Sequence, residues 1–312
     1  MARERNTEQK RRKTPPRSLF QSAPAQVMAP RLMVILSTLA LLAIGLVMVY
    51  SSTSITSYVE EGDALGETLK QCAFALLGIV GAVVIALFTK QDAMQGIPGV
   101  IFWAICCALI LITALLGTVG LGAKRWLIIG PISIQISEFA KIAFVMMAAR
   151  IAAQYREGEI DSGTAAKLAI GMVLLPLGFV FIAQSDMGTT MICCIGLFSV
   201  VVLSGLSGRA TSVLVGLGIV FGLIAVLSKS YRADRLGSFA DPWADAQGTG
   251  YQLVHSFKAL ASGGLLGAGI GNSYEKLQYL PEAETDFIVA IIGEELGLVG
   301  ALLVIVDFLV FM

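Results

Sequence analysis

Apolar segments long enough to cross a membrane dominate this sequence and constrain its fold more than any other feature. A helix needs about 20 apolar residues to span the hydrocarbon layer of a bilayer. Only 14% of the residues are charged, whereas soluble domains carry about a quarter. The sequence therefore predicts an all-α polytopic membrane protein. Its eight predicted transmembrane helices are residues 32–50, 71–89, 97–117, 137–153, 166–184, 189–206, 211–228 and 287–312.

The N-terminal tail, residues 1–31, is rich in arginine and lysine and contains a Pro-Pro pair. A polar, charged segment of this kind buries too little apolar surface to fold, so we expect the tail to be disordered. Positive charge accumulates on the cytoplasmic side of transmembrane helices, which predicts a cytoplasmic N-terminus. The first apolar block is longer than the apolar core of a signal peptide, so it is interpreted as an uncleaved helix. Residues 32–312 then form the transmembrane domain.

Counting crossings from a cytoplasmic N-terminus places residues 229–285 outside, as one large extracytoplasmic loop. Long loops in compact proteins are usually functional or disordered. This one is rich in glycine and aromatic residues and carries both signs of charge, which favours function. The chain has no net charge and a single histidine, so it predicts no nucleic-acid partner and no histidine-rich metal site. The five cysteines lie in or beside apolar blocks and are interpreted as packing residues.

Two cations and a tryptophan, Lys124, Arg125 and Trp126, lie between the third and fourth predicted helices. This connection is predicted to be outside, where cations run against the usual charge distribution. They suit an anionic lipid head group such as a pyrophosphate, with Trp126 at the membrane interface. Simple anchoring at the interface explains the three residues equally well.

Polar residues also mark the starts of the fourth and sixth predicted helices. Ser137 is a good N-cap, with Glu138 in the first turn of the helix. Lys141 follows Glu138 by three residues and is placed to pair with it. Asp186 either caps the sixth helix or has a functional role, and the cap is slightly favoured. Glu138, Lys141 and Asp186 are nevertheless candidate substrate-binding residues.

The large loop contains basic residues close to aromatic ones, with Arg232 and Arg235 before Trp243 and Gln252 after it. Such a composition fits a surface that faces phosphate or sugar, because sugars stack on aromatic rings and hydrogen-bond to amides. The pattern is weakly specific. It makes Arg232, Arg235 and Gln252 candidate substrate-binding residues.

Asp286 stands where a Gly-rich, Pro-containing loop enters the last apolar block. A charge at the membrane boundary is costly to desolvate, which favours a functional role such as taking a proton from a hydroxyl. In the alternative, Thr285 caps the last helix and acids such as Glu282 simply favour its dipole. Glu294 and Glu295 lie about two turns deeper, where buried acids must pair or face a cavity. Glu282 and Glu294 are therefore candidate substrate-binding residues beside Asp286.

Five motifs in this order resemble those of the SEDS proteins, the family of FtsW, RodA and SpoVE: GAKRWL…GP…QISEFAK, QSDMGT, DPWAD..G.GYQ, SGGLLGAGIGNS and YLPEAETDFI…GEELGLVG. The resemblance runs from about residue 32 to the end and is modestly closer to division-type FtsW. It implies a peptidoglycan glycosyltransferase of the bacterial cytoplasmic membrane that polymerises lipid II at the outer face during cell division. It also implies a class B penicillin-binding protein as transpeptidase partner, together with other divisome proteins. The essential aspartate of the family falls on Asp286.

The reaction implied by the resemblance is inverting sugar transfer, in which Asp286 takes the proton of the attacking acceptor hydroxyl. The departing lipid pyrophosphate is stabilised by cations such as Arg125, Lys124 or Lys276, optionally with a divalent ion, Mg²⁺ or Mn²⁺. No ligand cluster in the sequence predicts that metal. A lipid II flippase and a non-catalytic scaffold are the alternatives. Charges that gather on the outer side, rather than in mid-membrane along several helices, favour the enzyme.

The chain departs from the family pattern at three positions. Ile136 and Ser185 stand where the family commonly has proline, and both changes are expected to alter the local backbone. Glu284 stands in place of histidine and adds an acid beside the expected catalytic position. The family normally has more helices than the eight counted here, so the last ones are expected to be missing after Met312.

Overall fold

Helices dominate the computed structural model, which describes residues 25–89, 96–120, 123–129, 132–184, 186–205 and 237–312 and a few positions between 208 and 222. Within those continuous ranges the helices are α1 (Ala25–Glu61), α2 (Gly66–Phe88), α3 (Ile97–Leu116), α4 (Ile136–Arg156), α5 (Ser162–Ala169), α6 (Leu175–Ala183), α7 (Met187–Leu203), α8 (Tyr251–Gly263) and α9 (Ile288–Phe311). A π-helical turn, Ile170–Leu174, joins α5 to α6, and a 3-10 turn, Pro242–Asp245, precedes α8.

The chain divides into two compact units, and each is described by itself. The first comprises residues 1–88 and 229–312, and the second comprises residues 89–228. In the first unit α9 packs against α1 and α8, and α2 packs against α1. In the second unit α4 lies between α3 and α7. Helix α1 therefore folds together with α8 and α9, although it is far from both in the sequence.

Five segments of the described chain are long and apolar enough to cross a membrane: Met28–Val59, Gly66–Phe88, Ile97–Leu116, Ser162–Ala183 and Ile288–Phe311. Helix α7 is apolar but has only 17 residues, and α4 matches the fourth predicted segment without meeting the same criteria. The predicted helix 211–228 lies mostly outside the described residues. The structure therefore confirms a helical, multi-pass membrane protein but not the count of eight spans.

A small antiparallel sheet, which the sequence did not predict, interrupts the helices of the second unit. Its strands β1 (Thr118–Gly120), β2 (Ala123–Ile129) and β3 (Ile132–Gln135) pair in sequence order. Trp126 lies opposite Gln135 in the register of β2 and β3. Apolar and polar residues alternate in β3, and a Gly-Pro turn pair precedes it. Both are sequence signals of a β-hairpin.

The π-helical turn between α5 and α6 has a local cause. Pro176 has no backbone N–H, so it cannot bond to the carbonyl four residues earlier, at Met172. Trp103 Nε1 donates to that carbonyl oxygen at 2.7 Å. The indole therefore satisfies the group that proline leaves unpaired, and it ties α3 to this turn.

Each unit has its own apolar core. In the second unit Phe144, Ile110 and Val180 are almost completely buried, and Cys106 and Cys193 pack among them. In the first unit the core contains Met48 of α1, Ile291 of α9 and several residues of the loop before α9. The five cysteines are free. Cys107 packs against the core of the second unit beside Cys106 and Cys193, so three of them are the packing residues that the sequence predicted. The interpretation is wrong for Cys72 and Cys194, which are exposed.

Candidate functional site

Asp286 lies at the end of the segment 264–287, which connects α8 to α9. Four glycines in this segment, at 264, 267, 269 and 271, have positive φ, a region that L-residues rarely adopt. The segment folds back along α9: the N–H groups of Ala268 and Gly269 donate to the carbonyls of Glu294 and Glu295 at 2.8 and 3.0 Å. The glycines therefore allow a close approach of backbone to backbone.

Helix α9 is interrupted at Gly297, where φ is 70° and ψ is −169°. On the far side of this break, the N–H groups of Leu298 and Val299 donate to the carbonyls of Gly264 and Leu265 at 2.9 and 3.3 Å. Unpaired backbone groups are costly inside a membrane. The Gly-rich segment supplies the partners that the broken helix lacks, so the break and the loop stabilise each other.

The Glu294 side chain is buried and accepts three hydrogen bonds from the segment before Asp286. Its donors are Ser273 Oγ at 2.5 Å, Tyr274 N at 2.9 Å and Glu275 N at 3.4 Å. The expectation that a buried acid at this depth must be paired is confirmed for Glu294 by these bonds. They occupy the carboxylate that the sequence offered as a substrate ligand.

Glu295, the next residue, is also completely buried. Its carboxylate accepts from Lys276 Nζ at 2.8 Å, from Ser51 Oγ at 2.7 Å and from Ser273 N at 3.3 Å. Lys276 Nζ also donates to Ser51 Oγ at 3.1 Å. Ser51 belongs to α1, so the ion pair of Lys276 and Glu295, together with the Ser51 hydroxyl, joins α1, α9 and the loop.

Asp286 is exposed and lies in the turn before α9. The helix begins at Ile288, and its N-cap position, Phe287, makes no side-chain cap bond. The prediction that Thr285 caps the helix is wrong, because its hydroxyl donates to Glu282 Oε2 at 2.8 Å. Glu282 has a positive φ of 57°, so this turn is tight and unusual.

Aromatic rings border the same segment. Tyr274 and Tyr279 are exposed and stack with ring centroids 4.5 Å apart. A hydrogen bond to the Tyr279 side chain, with some desolvation, raises the pKa of Tyr274. His255 Nδ1 lies 2.6 Å from Glu275 Oε2, and its ring is 4.3 Å from that of Tyr251. The neighbouring Gln252 is half-buried on α8.

In the second unit Asp186 caps α7, as the sequence favoured. Its carboxylate accepts from Thr189 N at 3.0 Å and from Thr189 Oγ1 at 2.8 Å. It also accepts from Gln135 Nε2 at 3.1 Å and from Ser137 Oγ at 3.4 Å. The prediction of Ser137 as an N-cap is wrong: Gln135 occupies the N-cap position of α4, and the buried Ser137 points to Asp186 instead.

The cationic pair of the same unit lies on β2. Arg125 Nε donates to the carbonyl of Gln184 at 3.1 Å, while Trp126 is 37% exposed. Lys124 lies opposite Val119 in the sheet register, and its side chain lies outside the described residues. One cation therefore already fastens the sheet to the end of α6.

The remaining predicted residues have different outcomes. The pair of Glu138 and Lys141 is confirmed, with 2.7 Å between Oε2 and Nζ. Arg232 and Arg235 lie outside the described residues.

Sequence reasoning missed Ser51 and Ser273 altogether. The only signal for Ser51 was a short polar run, Ser51-Ser52-Thr53, in an otherwise apolar first helix.

The chain is similar to known proteins over nearly its whole length. Residues 31–312 match the family described as cell cycle protein, FtsW/RodA/SpoVE. A probable peptidoglycan glycosyltransferase FtsW of Halothiobacillus neapolitanus is 35% identical over 88% of this chain, and the match covers 66% of that relative. The stage V sporulation protein E of Bacillus subtilis is 32% identical over 90% of this chain and 76% of that protein. The chain thus spans about two-thirds of the length of its FtsW relatives.

Two solved structures share the fold. One, from a study of structural coordination of polymerization and crosslinking by a peptidoglycan synthase complex, has a TM-score of 0.62 at 22% identity, with 89% of this chain and 74% of that chain covered. The other, a mutant of the rod shape determining protein RodA of Thermus thermophilus, has a TM-score of 0.59 at 18% identity, with 90% and 72% covered. At these identities the likeness concerns the fold alone. The family match and the relatives above 30% identity agree with the motifs, and this chain belongs to the FtsW/RodA/SpoVE family.

Proposed function

We propose that this protein is a peptidoglycan glycosyltransferase that polymerises lipid II into glycan strands during cell division. The observation that carries the proposal is Asp286, an exposed carboxylate at the end of a loop that is fastened to a broken helix. The names of the FtsW relatives support the same activity. Polymerisation of lipid II by the purified protein, alone and with a transpeptidase partner, tests it. No polymer under either condition would contradict the proposal.

In the proposed reaction the acceptor sugar attacks the donor without a covalent enzyme intermediate. The acceptor hydroxyl oxygen forms a bond to the anomeric carbon of the donor, and its proton passes to the Asp286 carboxylate. The bond from that carbon to the phosphate oxygen breaks, and its electron pair leaves with the lipid pyrophosphate. An exposed acid suits this role because a substrate hydroxyl can reach it.

A divalent cation, Mg²⁺ or Mn²⁺, is a separate hypothesis. Within the described part of the chain no three histidine, cysteine, aspartate or glutamate side chains converge on one point. The residues that are placed therefore form no ready cluster for such an ion, and no step of the proposed reaction is routed through it.

A flippase would need charged groups that line a path across the membrane. In the first unit, however, Glu294, Glu295 and Lys276 satisfy one another or the adjacent loop. Glu295 is paired with Lys276 and Glu294 is hydrogen-bonded to the loop, so none of the three lines an open path. This supports the enzyme over the flippase.

The proposed partner is a class B penicillin-binding protein, with other divisome proteins. One solved structure with the same fold comes from a study of a peptidoglycan synthase complex that coordinates polymerization and crosslinking. That coordination supports a crosslinking partner for this protein.

The proposed topology has eight spans in the bacterial cytoplasmic membrane, a cytoplasmic N-terminus and residues 229–285 outside. Gln247 is exposed in this loop. We expect Gln247→Cys, in a background without the native cysteines, to react with a membrane-impermeant thiol reagent in intact cells. The matched variant Glu159→Cys lies in the exposed turn after α4 and should react only after permeabilisation. The reverse pattern would place Asp286 on the cytoplasmic face and contradict the polymerase proposal.

The role of Lys124 in binding the lipid pyrophosphate gives a second prediction. Lys124→Gln removes one cation from β2 and is expected to raise the lipid II concentration needed for half-maximal rate, with kcat little changed. The increase should be larger at low ionic strength, because salt screens exposed charges over about 10 Å at 0.1 M. Steady-state polymerisation at two salt concentrations measures it. If only protein yield falls, Lys124 is an interfacial anchor.

A further inference from the structure

We infer that Lys276, through its ion pair with Glu295 and its bond to Ser51, is a positioning residue for Asp286. This inference rests on the proposed glycosyltransferase function. It assigns to Lys276 a role different from the contact with pyrophosphate that its charge alone suggested. It also gives the first helix a part in the site, although α1 contains no residue of the proposed chemistry.

Burial separates the two roles of Lys276. Its side chain is only 2% exposed, and that of Glu295 is 0% exposed. The Nζ atom already donates to Glu295 and to Ser51, at 2.8 and 3.1 Å. The ammonium has one further N–H, but a pyrophosphate would have to enter this closed site to reach it. The geometry therefore directs Lys276 inward, to the protein rather than to a ligand.

The two neighbouring carboxylates of α9 hold one short stretch of the loop, Ser273–Lys276. The Glu294 carboxylate accepts hydrogen bonds from the Ser273 hydroxyl and from two backbone N–H groups. The Glu295 carboxylate accepts hydrogen bonds from the Ser273 N–H and from the Lys276 ammonium. Charged hydrogen bonds in a buried setting are short and directional. This stretch is therefore fixed to α9 by side chains and backbone together.

The fixed stretch continues to Asp286 through a packed turn. Leu280 N donates to the carbonyl of Glu275 at 2.9 Å. Leu280 and Ala283 are nearly fully buried and pack in the core that contains Met48 and Ile291. The chain between Lys276 and Asp286 is thus held at its start and in its middle, while its end is exposed. If the backbone at Lys276 is displaced, we expect Asp286 to be displaced as well, because this connection links the two.

A buried ion pair is a costly way to gain stability, because well-packed apolar residues often do as well. Its advantage is a defined geometry, since the ammonium must face both the carboxylate of α9 and the hydroxyl of α1. Catalysis depends on such placement: an error of about 1 Å can cost on the order of 100-fold in rate. The pair therefore fits a positioning function better than a purely stabilising one.

The test compares the kinetics of Lys276→Met with those of the wild-type protein. We expect kcat for lipid II polymerisation to fall roughly 10- to 100-fold, with KM within about twofold. Ser51→Ala, which keeps the ion pair and removes its third member, should show a smaller fall in kcat. If Lys276 binds the pyrophosphate, KM would rise instead, and the positioning role would be overturned.

A second readout does not depend on activity. Hydrogen exchange of the purified protein should rise in residues 273–287 of Lys276→Met and Ser51→Ala, and stay unchanged in α8. Lys70→Met is the matched control, because Lys70 pairs with Glu67 at 2.6 Å on the exposed surface of the same unit. Unchanged exchange in both test variants would overturn the inference. If the wild-type protein makes no polymer, the proposed function fails while the exchange result still decides the positioning.

Discussion

Asp286→Asn is expected to abolish glycan polymerisation while the protein still folds and inserts. Asparagine has nearly the same shape as aspartate but cannot take the proton of the acceptor hydroxyl. Loss of a general base typically lowers a rate about 10²- to 10⁴-fold. Folding should be unaffected because Asp286 is exposed and does not cap α9.

The measurement is the yield and length of glycan strands made from lipid II by equal amounts of monodisperse protein. Glu284→Gln is the matched control, since Glu284 is an exposed acid on the same turn and has no role in the proposed reaction. It should polymerise near the wild-type rate. Binding to the transpeptidase partner should be the same for both variants. Near-normal strands from Asp286→Asn would remove this carboxylate from the mechanism.

The sequence predicted the long helices well because their signal is local. The third apolar block was expected at residues 97–117, and α3 runs from Ile97 to Leu116. The last block, 287–312, corresponds to α9 at Ile288–Phe311. Each span must be apolar along its own length, whatever it packs against. Residue-by-residue hydropathy is therefore enough to find it.

The details of the candidate site could not be predicted in the same way, because they depend on contacts between distant residues. The bond from Ser51 to Glu295 joins positions 244 residues apart. Nothing in the local sequence around either residue indicates that the two are in contact. The ion pair of Lys276 was missed for the same reason, so its charge was assigned to a ligand.

The helix starts show a different source of error. Thr285 and Ser137 are residue types that commonly cap helices, yet neither makes a cap bond here. Each hydroxyl instead donates a hydrogen bond to a nearby carboxylate, that of Glu282 or Asp186. Helix-capping propensity describes how a residue type behaves in an average environment. At these two positions the hydrogen bond to a carboxylate replaces the cap bond that the propensity predicts.

Gly267→Ala is expected to lower the stability of the first unit strongly, by at least about 3 kcal/mol. Gly267 has a φ of +82° in the loop that closes the break in α9. An added Cβ would overlap the carbonyl of Glu295 and the backbone N of Gly297. Relief of that overlap requires the loop to leave α9, which breaks the backbone bonds that Ala268 and Gly269 make to the helix.

Gly271→Ala separates this overlap from the cost of the backbone conformation. Gly271 has a similar φ of +87°, but an added Cβ there would meet no atom within 4 Å. Alanine at positive φ costs roughly 1–2 kcal/mol by itself, so Gly271→Ala should lower the melting temperature moderately and Gly267→Ala far more. Thermal unfolding of both variants in the same detergent measures the difference. Equal melting temperatures would mean that the loop does not lie against the broken helix. That result would also contradict the claim that this loop holds Asp286 in a fixed position.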